Sequence, residues 1–252
     1  MPLPSLPRND PRQYDELADE WWRPRGVFAM LHWIAEVRAS LIPAPSRPGA
    51  LLLDVACGGG VMAPHVARLG YRHVGVDIGQ AALGVARQHG IEPVRADAAR
   101  LPFADGVAEV VVAGEMLEHV TDLPAVVAEL CRVLAPGGTL VVDALADTAL
   151  ARLLTITVAE RIPGGPPVGL HDGSLYVSRG ALVALCAEHG VVIRLGGLRP
   201  SLVAWVGWLL HRREAGRMVA TRSTAVLFSG VGVKRLEPST ARPRALVKEA
   251  SR

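Results

Sequence analysis

The sequence predicts an α/β fold: a doubly wound, mainly parallel sheet preceded by an N-terminal helical cap. Two observations carry that prediction. From residue 50 to residue 144, short continuous apolar runs alternate with helical segments, as in strands buried on both faces by crossover helices. The first run also leads straight into Ala56-Cys57-Gly58-Gly59-Gly60, the glycine-rich turn that such sheets place between their first strand and first helix.

Residues 1–12 read as a flexible arm, and 13–42 as a helical cap broken at Pro24-Arg25-Gly26. Three prolines within 43–48 mark a linker. Residues 50–55 (ALLLDV) form the first strand and 61–69 the helix after it. The second strand, 73–76, ends at Asp77, and the helix over 80–89 is closed by Gly90. Residues 92–95 make a weak third strand ending at Asp97, and 108–113 (AEVVVA) a fourth. A helix over 123–134 is closed by Pro136-Gly137-Gly138, and 139–144 is the fifth strand. Beyond it come a helical stretch at 148–161 and a Gly/Pro-rich loop at 163–173. A helix at 178–189 and a strand at 191–195 follow. An apolar segment at 201–213 runs into His211-Arg212-Arg213, and 224–233 is the last strand. The chain thus divides into arm and cap (1–48), sheet domain (49–236) and a flexible basic tail (237–252).

Half of the 252 residues are hydrophobic and 20% are charged, which excludes a disordered chain. The formal net charge of +3 hides an asymmetry: residues 211–252 carry +7 and the rest −4. A basic end suits an anionic surface or partner, or simply a solvated terminus. Cys57, Cys131 and Cys186 show no CxxC or metal-ligand spacing, and no apolar leader is visible at Met1. The expectation is a reduced, cytoplasmic protein. The apolar run at 201–210 is too short to span a bilayer. Of 27 basic residues only Lys234 and Lys248 are lysines. With abundant Ala, Gly and Pro, this bias points to a GC-rich bacterial source.

The turn glycines let a ligand approach the backbone, and the helix behind them offers free N–H groups. Asp77, at the next strand end, can accept both hydroxyls of a ribose. No Walker GK[ST] is present, and G-x-G-x-x-G fits only loosely. Asp54, Asp77, Asp97 and Glu115 end four successive strands. Such acids repel a pyrophosphate and favour an ammonium. S-adenosylmethionine carries an ammonium, a sulfonium and no phosphate, so it is favoured over NAD.

The LDVACGGG turn, Asp77, the Asp97-Ala98 pair and ELCRVLAPGGTLVV together resemble the Rossmann-like class I methyltransferases over 51–144. Ala56 stands where that family has its first glycine. The exchange is cheap at negative φ and costs about 1 kcal/mol of strain otherwise. Glu20-Trp21-Trp22-Arg23-Pro24-Arg25-Gly26-Val27-Phe28, Leu31-His32 and Gly114-Glu115-Met116-Leu117-Glu118-His119-Val120 narrow the resemblance. With His171-Asp172 and Gly196-Gly197-Leu198, they are similar to the ubiquinone-biosynthesis O-methyltransferases over roughly 14–200. Beyond Arg199 the similarity fades. The resemblance implies that S-adenosylmethionine is held by Arg38 at its carboxylate, Asp77 at its ribose and Ile78 at its adenine face. Asp97 and the Ala98 backbone would meet the adenine amino edge, while Asp54, Ala56, Gly58, Gly60 and Gly114 shape the turn and its backbone contacts.

Glu115, Glu118 and His119 are the catalytic candidates. On a helix their spacing puts all three on one face. There they can bind a divalent cation such as Mg2+, or supply a base for a phenol proton. A pocket-shaping role without metal is the alternative. Trp21, Trp22 and Phe28 stack on a flat acceptor or close over it; alternatively they pack the first helix. His171 lines the substrate mouth or lies on the surface.

The expected activity is O-methylation of a hydroxylated aromatic or quinone-type small molecule, with N- or C-methylation as alternatives on the same fold. A nucleic-acid methyltransferase is disfavoured, because the tail lacks interleaved aromatics and no Asn/Asp-Pro-Pro-aromatic motif occurs. A non-catalytic scaffold is disfavoured by the intact Asp77, Gly58 and Gly60. The apolar run Trp205-Val206-Gly207-Trp208-Leu209-Leu210 beside the basic end suggests peripheral contact with an anionic membrane. Inward packing or a homodimer seam is the alternative use of its tryptophans.

Overall fold

The apolar runs become strands β1 (Leu51–Val55), β2 (Arg72–Asp77), β3 (Glu92–Arg95), β4 (Ala108–Gly114), β5 (Leu134–Leu145), β6 (Val191–Pro200), β7 (Met218–Thr221) and β8 (Leu227–Lys234). They come from a computed structural model that describes residues 6–162 and 165–236; the basic tail expected over 237–252 lies outside them. All eight strands join one sheet in the order β3-β2-β1-β4-β5-β8-β6-β7. The first five are parallel. β8 runs antiparallel to both β5 and β6, and β7 is an antiparallel edge on β6.

Helices α1 (Arg12–Glu16) and α2 (Ala29–Ala39) belong to the cap, and α3 (Ala63–Leu69), α4 (Gln80–Gln88) and α5 (Leu123–Val133) are the crossovers. Then follow α6 (Ala149–Arg152), α7 (Arg179–Glu188) and α8 (Leu202–Leu209). Alternate strand residues face opposite sides. Leu53, Val55, Val111, Ala113, Leu140 and Val142 bury against Val127 and Leu130 of α5 and Leu182 and Cys186 of α7. Leu52, Val110, Val112 and Val141 bury against Ala35 of α2, Val66 of α3 and Ala82 of α4. The helix ends follow local chemistry. Gly70, Gly90 and Gly190 stop α3, α4 and α7 at φ +85°, +88° and +75°, where only glycine is unstrained. Asp122 caps α5 through the Ala125 N–H at 3.0 Å.

Several elements differ from expectation. β5 begins at Leu134, so Pro136-Gly137-Gly138 lie inside the strand; a register shift between Ala108 and Val110 absorbs them as a bulge. β7 was not expected. The cap is α1, a 3-10 turn at Ala18–Glu20, and α2. The helix expected over 148–161 is α6 continued by a π-helical turn, Leu153–Val158, and a 3-10 turn, Ala159–Arg161. Among the described residues no helix is long and apolar enough to cross a membrane. Strand order reverses between β1 and β4, and a doubly wound sheet opens its ligand crevice at that point.

Candidate functional site

A cavity of about 1140 Å³ lies beyond the C-terminal ends of β1, β2 and β4. One small ligand fills roughly 300–1,000 Å³, so there is room for a cofactor with an acceptor beside it. Asp54, Ala56, Asp77, Ile78, Asp97, Ala98, Gly114 and Glu115 reach it from the strand ends. Tyr14, Trp21, Phe28 and Arg38 reach it from the cap, and His119 and His171 close the far side.

The glycine turn is tightly wound: Ala56, Gly58 and Gly60 have φ of +56°, +52° and +79°. Asp77 braces it, accepting the Gly58 N–H on Oδ2 and the Gly79 N–H on Oδ1, each at 2.8 Å. Burial pushes the Asp77 carboxyl up, against these hydrogen bonds. Gly58 and Gly60 stand behind the cavity wall. Trp21 lies so close over Gly58 and Gly59 that a Cβ at either would fall inside its indole, and Gly60 faces Ala86 and Ile91. Asp54 reaches the wall but holds His73 Nε2 at 3.2 Å.

Ala56 therefore meets the strained condition, since a Cβ at this φ costs about 1–2 kcal/mol. Ala56→Gly is expected to stabilise the fold by about 1 kcal/mol after the added entropy of glycine in the unfolded chain. Urea denaturation measures it, and an unmoved midpoint would show that the turn carries no such strain.

Arg38 is buried and takes Asp143 in a two-pronged pair: Nε to Oδ2 at 2.5 Å and Nη2 to Oδ1 at 2.6 Å. Its guanidinium rests on Gly114, where any side chain would displace it. The expected arginine is thus at the cavity, with Nη1 outside the pairing. Its partner Asp143 was missed. The signal was available: an acid in the buried run TLVVDALA requires a partner.

Glu115 adopts φ +52°, and its N–H donates to the Asp143 carbonyl at 2.9 Å. Its Oε1 is buried without a partner. Burial raises its pKa well above the carboxylate range, and the nearby Glu118 and Asp143 carboxylates add to this. Glu118 accepts the Leu145 N–H on Oε1 at 3.2 Å while Oε2 is unpartnered; burial pushes it up to about 8.

The left-handed backbone at Glu115 and the single 3-10 turn at Leu117–His119 rule out an α-helix there. Glu115, Glu118 and His119 therefore do not share a face. Among the described residues no group of three or more His, Cys, Asp or Glu side chains is arranged to hold a metal ion. The Mg2+ site expected there is not supported.

His119 instead faces the cap. Its Nε2 lies 3.1 Å from the Tyr14 hydroxyl and its Nδ1 2.5 Å from Asn9 Oδ1. His171 stacks on it with ring centroids 5.5 Å apart. Burial and His171 lower the His119 pKa to about 3, so the ring is neutral. Trp21 and Phe28 stack at 4.1 Å and line the cavity, while both are also buried in the core under the cap. Trp22 does not: it stacks on His89 at 3.6 Å and donates to the Gly59 carbonyl at 2.8 Å, outside the cavity.

These groups set a pH dependence. The folded Glu118 pKa lies above the unfolded value, so its contribution is whole below about pH 4.5 and is lost as pH rises towards about 8. The folded His119 pKa lies below its unfolded value, so stability falls as pH drops from 6.5 towards about 3. Glu118→Gln should flatten the alkaline limb, gaining more over the parent chain at pH 8 than at pH 5. Urea titrations at both pH values test this; an equal difference at the two would exclude Glu118 as the source.

A sequence model of the methyltransferase domain matches residues 53–142. The ubiquinone biosynthesis O-methyltransferase of Hahella chejuensis is 35% identical over 191 residues, covering 73% of this chain and 80% of the relative. That of Burkholderia pseudomallei is 34% identical over 226 residues, covering 85% and 96%. Among solved structures, a SAM-dependent methyltransferase of Thermotoga maritima superposes with a TM-score of 0.62 at 15% identity, covering 89% of this chain and 99% of that one. One from Aquifex aeolicus gives 0.56 at 14%, covering 89% and 98%. At such identities the two structures speak to the fold alone.

Proposed function

The chain belongs to the S-adenosylmethionine-dependent methyltransferases, in the family of the ubiquinone-biosynthesis O-methyltransferases, and from that premise we propose that it methylates a hydroxyl oxygen of an aromatic or quinone-type small molecule. One observation carries the reading: a single cavity joins acid-tipped strand ends to an imidazole set in an aromatic wall. S-adenosylmethionine, when bound, supplies an electrophilic methyl group on a sulfonium. The residues present fit it. The orphaned Oε1 of Glu115 is a buried acceptor without a donor, suited to an ammonium. Arg38 Nη1 serves the carboxylate, and Asp77 the ribose. Exposed Ile78 covers the adenine, with Asp97 and Ala98 at its amino edge. The chain's own contribution is positioning, exclusion of water, and a neutral imidazole at His119, a weak base that takes up a proton only as the methyl group is transferred.

The test is a mass-spectrometric screen of the full chain with S-adenosylmethionine against catechols, hydroxyquinones and phenolic metabolites. A gain of one CH2 unit is expected on hydroxyl-bearing members and none on their O-methylated counterparts. Methylation confined to amines or carbon would overturn the reading.

We also propose a cytoplasmic enzyme touching an anionic membrane at the cavity mouth. Leu202, Val203, Val206 and Leu210 are exposed along and just beyond α8, next to Arg212 and Arg213, and Leu202 also lines the cavity. Trp208 has no part in this face: it is buried against Trp33, at 5.2 Å, beneath the Arg25 guanidinium. Sedimentation with anionic liposomes should carry the protein down. Equal recovery in the supernatant with and without them rejects the contact, and self-association without lipid would assign the face to a homodimer instead.

A further inference from the structure

We infer that Asn9 is a positioning residue for the reaction: it holds His119 as the Nδ1–H tautomer, so that Nε2 can draw the acceptor's proton through the Tyr14 hydroxyl. This rests on the O-methylation reading above, and it extends the site to an arm in which the sequence showed no pattern.

The hydrogen bonds leave little freedom. Asn9 Nδ2 lies 2.9 Å from the His119 carbonyl oxygen. A carbonyl can only accept, so the amide NH2 faces it. That orientation points Asn9 Oδ1, another pure acceptor, at His119 Nδ1, 2.5 Å away. Nδ1 must therefore carry the hydrogen, and a neutral ring then has a bare lone pair on Nε2. The tautomer is assigned by these contacts, as it must be without visible hydrogens. Tyr14 donates its hydroxyl to that lone pair at 3.1 Å. Asn9, Tyr14 and His119 all line the cavity.

The arm is tied down on either side of Asn9. The Asn9 N–H donates to the Gly169 carbonyl at 3.1 Å, and Arg8 donates to the His171 carbonyl at 2.8 Å. Asn9 itself sits at φ +59°, a left-handed conformation that asparagine tolerates better than most residues. Tyr14 is held within the ring cluster of Trp21 and Phe28, at 6.2 and 6.0 Å.

The proton balance is simple. The acceptor O–H gives its proton to the Tyr14 oxygen as the Tyr14 proton passes to Nε2. Tyr14 ends neutral and His119 ends as imidazolium, with Asn9 Oδ1 still accepting from Nδ1–H. The positive charge of the consumed sulfonium reappears on the ring, so the cavity creates no net charge.

Long-range proton–nitrogen NMR on the full chain, labelled with 15N-histidine, reads the tautomer directly; His119→Gln assigns the signal. A protonated Nδ1 and a bare Nε2 are expected in the unmodified chain. Asn9→Ala should lose that preference and lower kcat by about 10–100-fold, part of the roughly 10²–10⁴-fold that a positioned proton acceptor contributes. Its affinity for S-adenosylmethionine in calorimetry should be unchanged. Asn9→Asp keeps an acceptor at Nδ1 and should recover most of kcat, which a mere fastening of the arm would not predict. A protonated Nε2 in the unmodified chain overturns the inference, even if the variants fail to fold, and so does full kcat in Asn9→Ala. If Nδ1–H is found but no hydroxyaromatic is methylated, the tautomer stands and the proposed reaction falls.

Discussion

Arg38→Met is expected to destabilise the protein by about 3–5 kcal/mol near neutral pH, the cost of breaking one side of a buried ion pair. Arg38 and Asp143 have side-chain exposures of only 5% and 1%. The guanidinium also acts on two further buried carboxyls, Glu115 and Glu118, favouring their charged forms against burial. Removing it leaves the buried Asp143 carboxylate without its partner beside them. The double variant Arg38→Met, Asp143→Leu removes charge from both sides and should recover most of the loss, since such pairs are often replaceable by apolar groups together. Denaturant midpoints for the two single variants and the double give the coupling. A loss under 1 kcal/mol in Arg38→Met would mean that the pair does not hold the cavity floor.

Gly58→Ala is expected to cost about 2–5 kcal/mol, because two penalties coincide. The residue has φ +52°, worth about 1–2 kcal/mol for any side chain. The added methyl would also occupy space held by the Trp21 ring, and overpacking of that kind costs about 1–3 kcal/mol. The two parts separate in a double-mutant cycle. In a Trp21→Ala background the steric part vanishes, and Gly58→Ala should cost only the backbone share. Equal costs in both backgrounds would show that Trp21 does not rest on the turn in solution. Calorimetry should also show weaker S-adenosylmethionine binding, since the Gly58 N–H orients Asp77.

Much of this architecture was legible in the sequence. The strands from Leu51 to Gly114 and helices α3 to α5 lie within about two residues of expectation, because apolar runs and closing glycines are local signals. The failures came where one residue's backbone overrides a pattern. Glu115 through His119 has helical spacing, yet φ +52° at Glu115 turns the chain before a helix can form. Pro136-Gly137-Gly138 looks like a stop, yet pairing with β4 draws it into β5 as a bulge. β7 (MVAT) is a four-residue edge strand whose apolar run is too short to signal a strand alone; pairing with β6 makes it one. The acids that line the cavity were legible because they stand at strand ends. Asn9 and Tyr14 were missed because their importance lies in contacts to His119 more than a hundred residues away.

The place of β8 has a consequence for how the molecule is made. It is the last described strand in the chain, yet it is inserted between β5 and β6. Until residue 234 has been synthesised, the nascent chain carries β5 with an open edge and a β6–β7 pair, connected through α8, with no strand to join. Open edges of this kind invite pairing with other chains. The closing strand ends in its own latch: Lys234 Nζ donates to the Cys131 and Leu134 carbonyls, each at 2.8 Å, at the C-terminal end of α5, where a cation is favoured. Interruption of translation anywhere between β5 and Lys234 would therefore release a half-sheet with a sticky flank, and such fragments should depend on chaperones in a way that the finished protein does not.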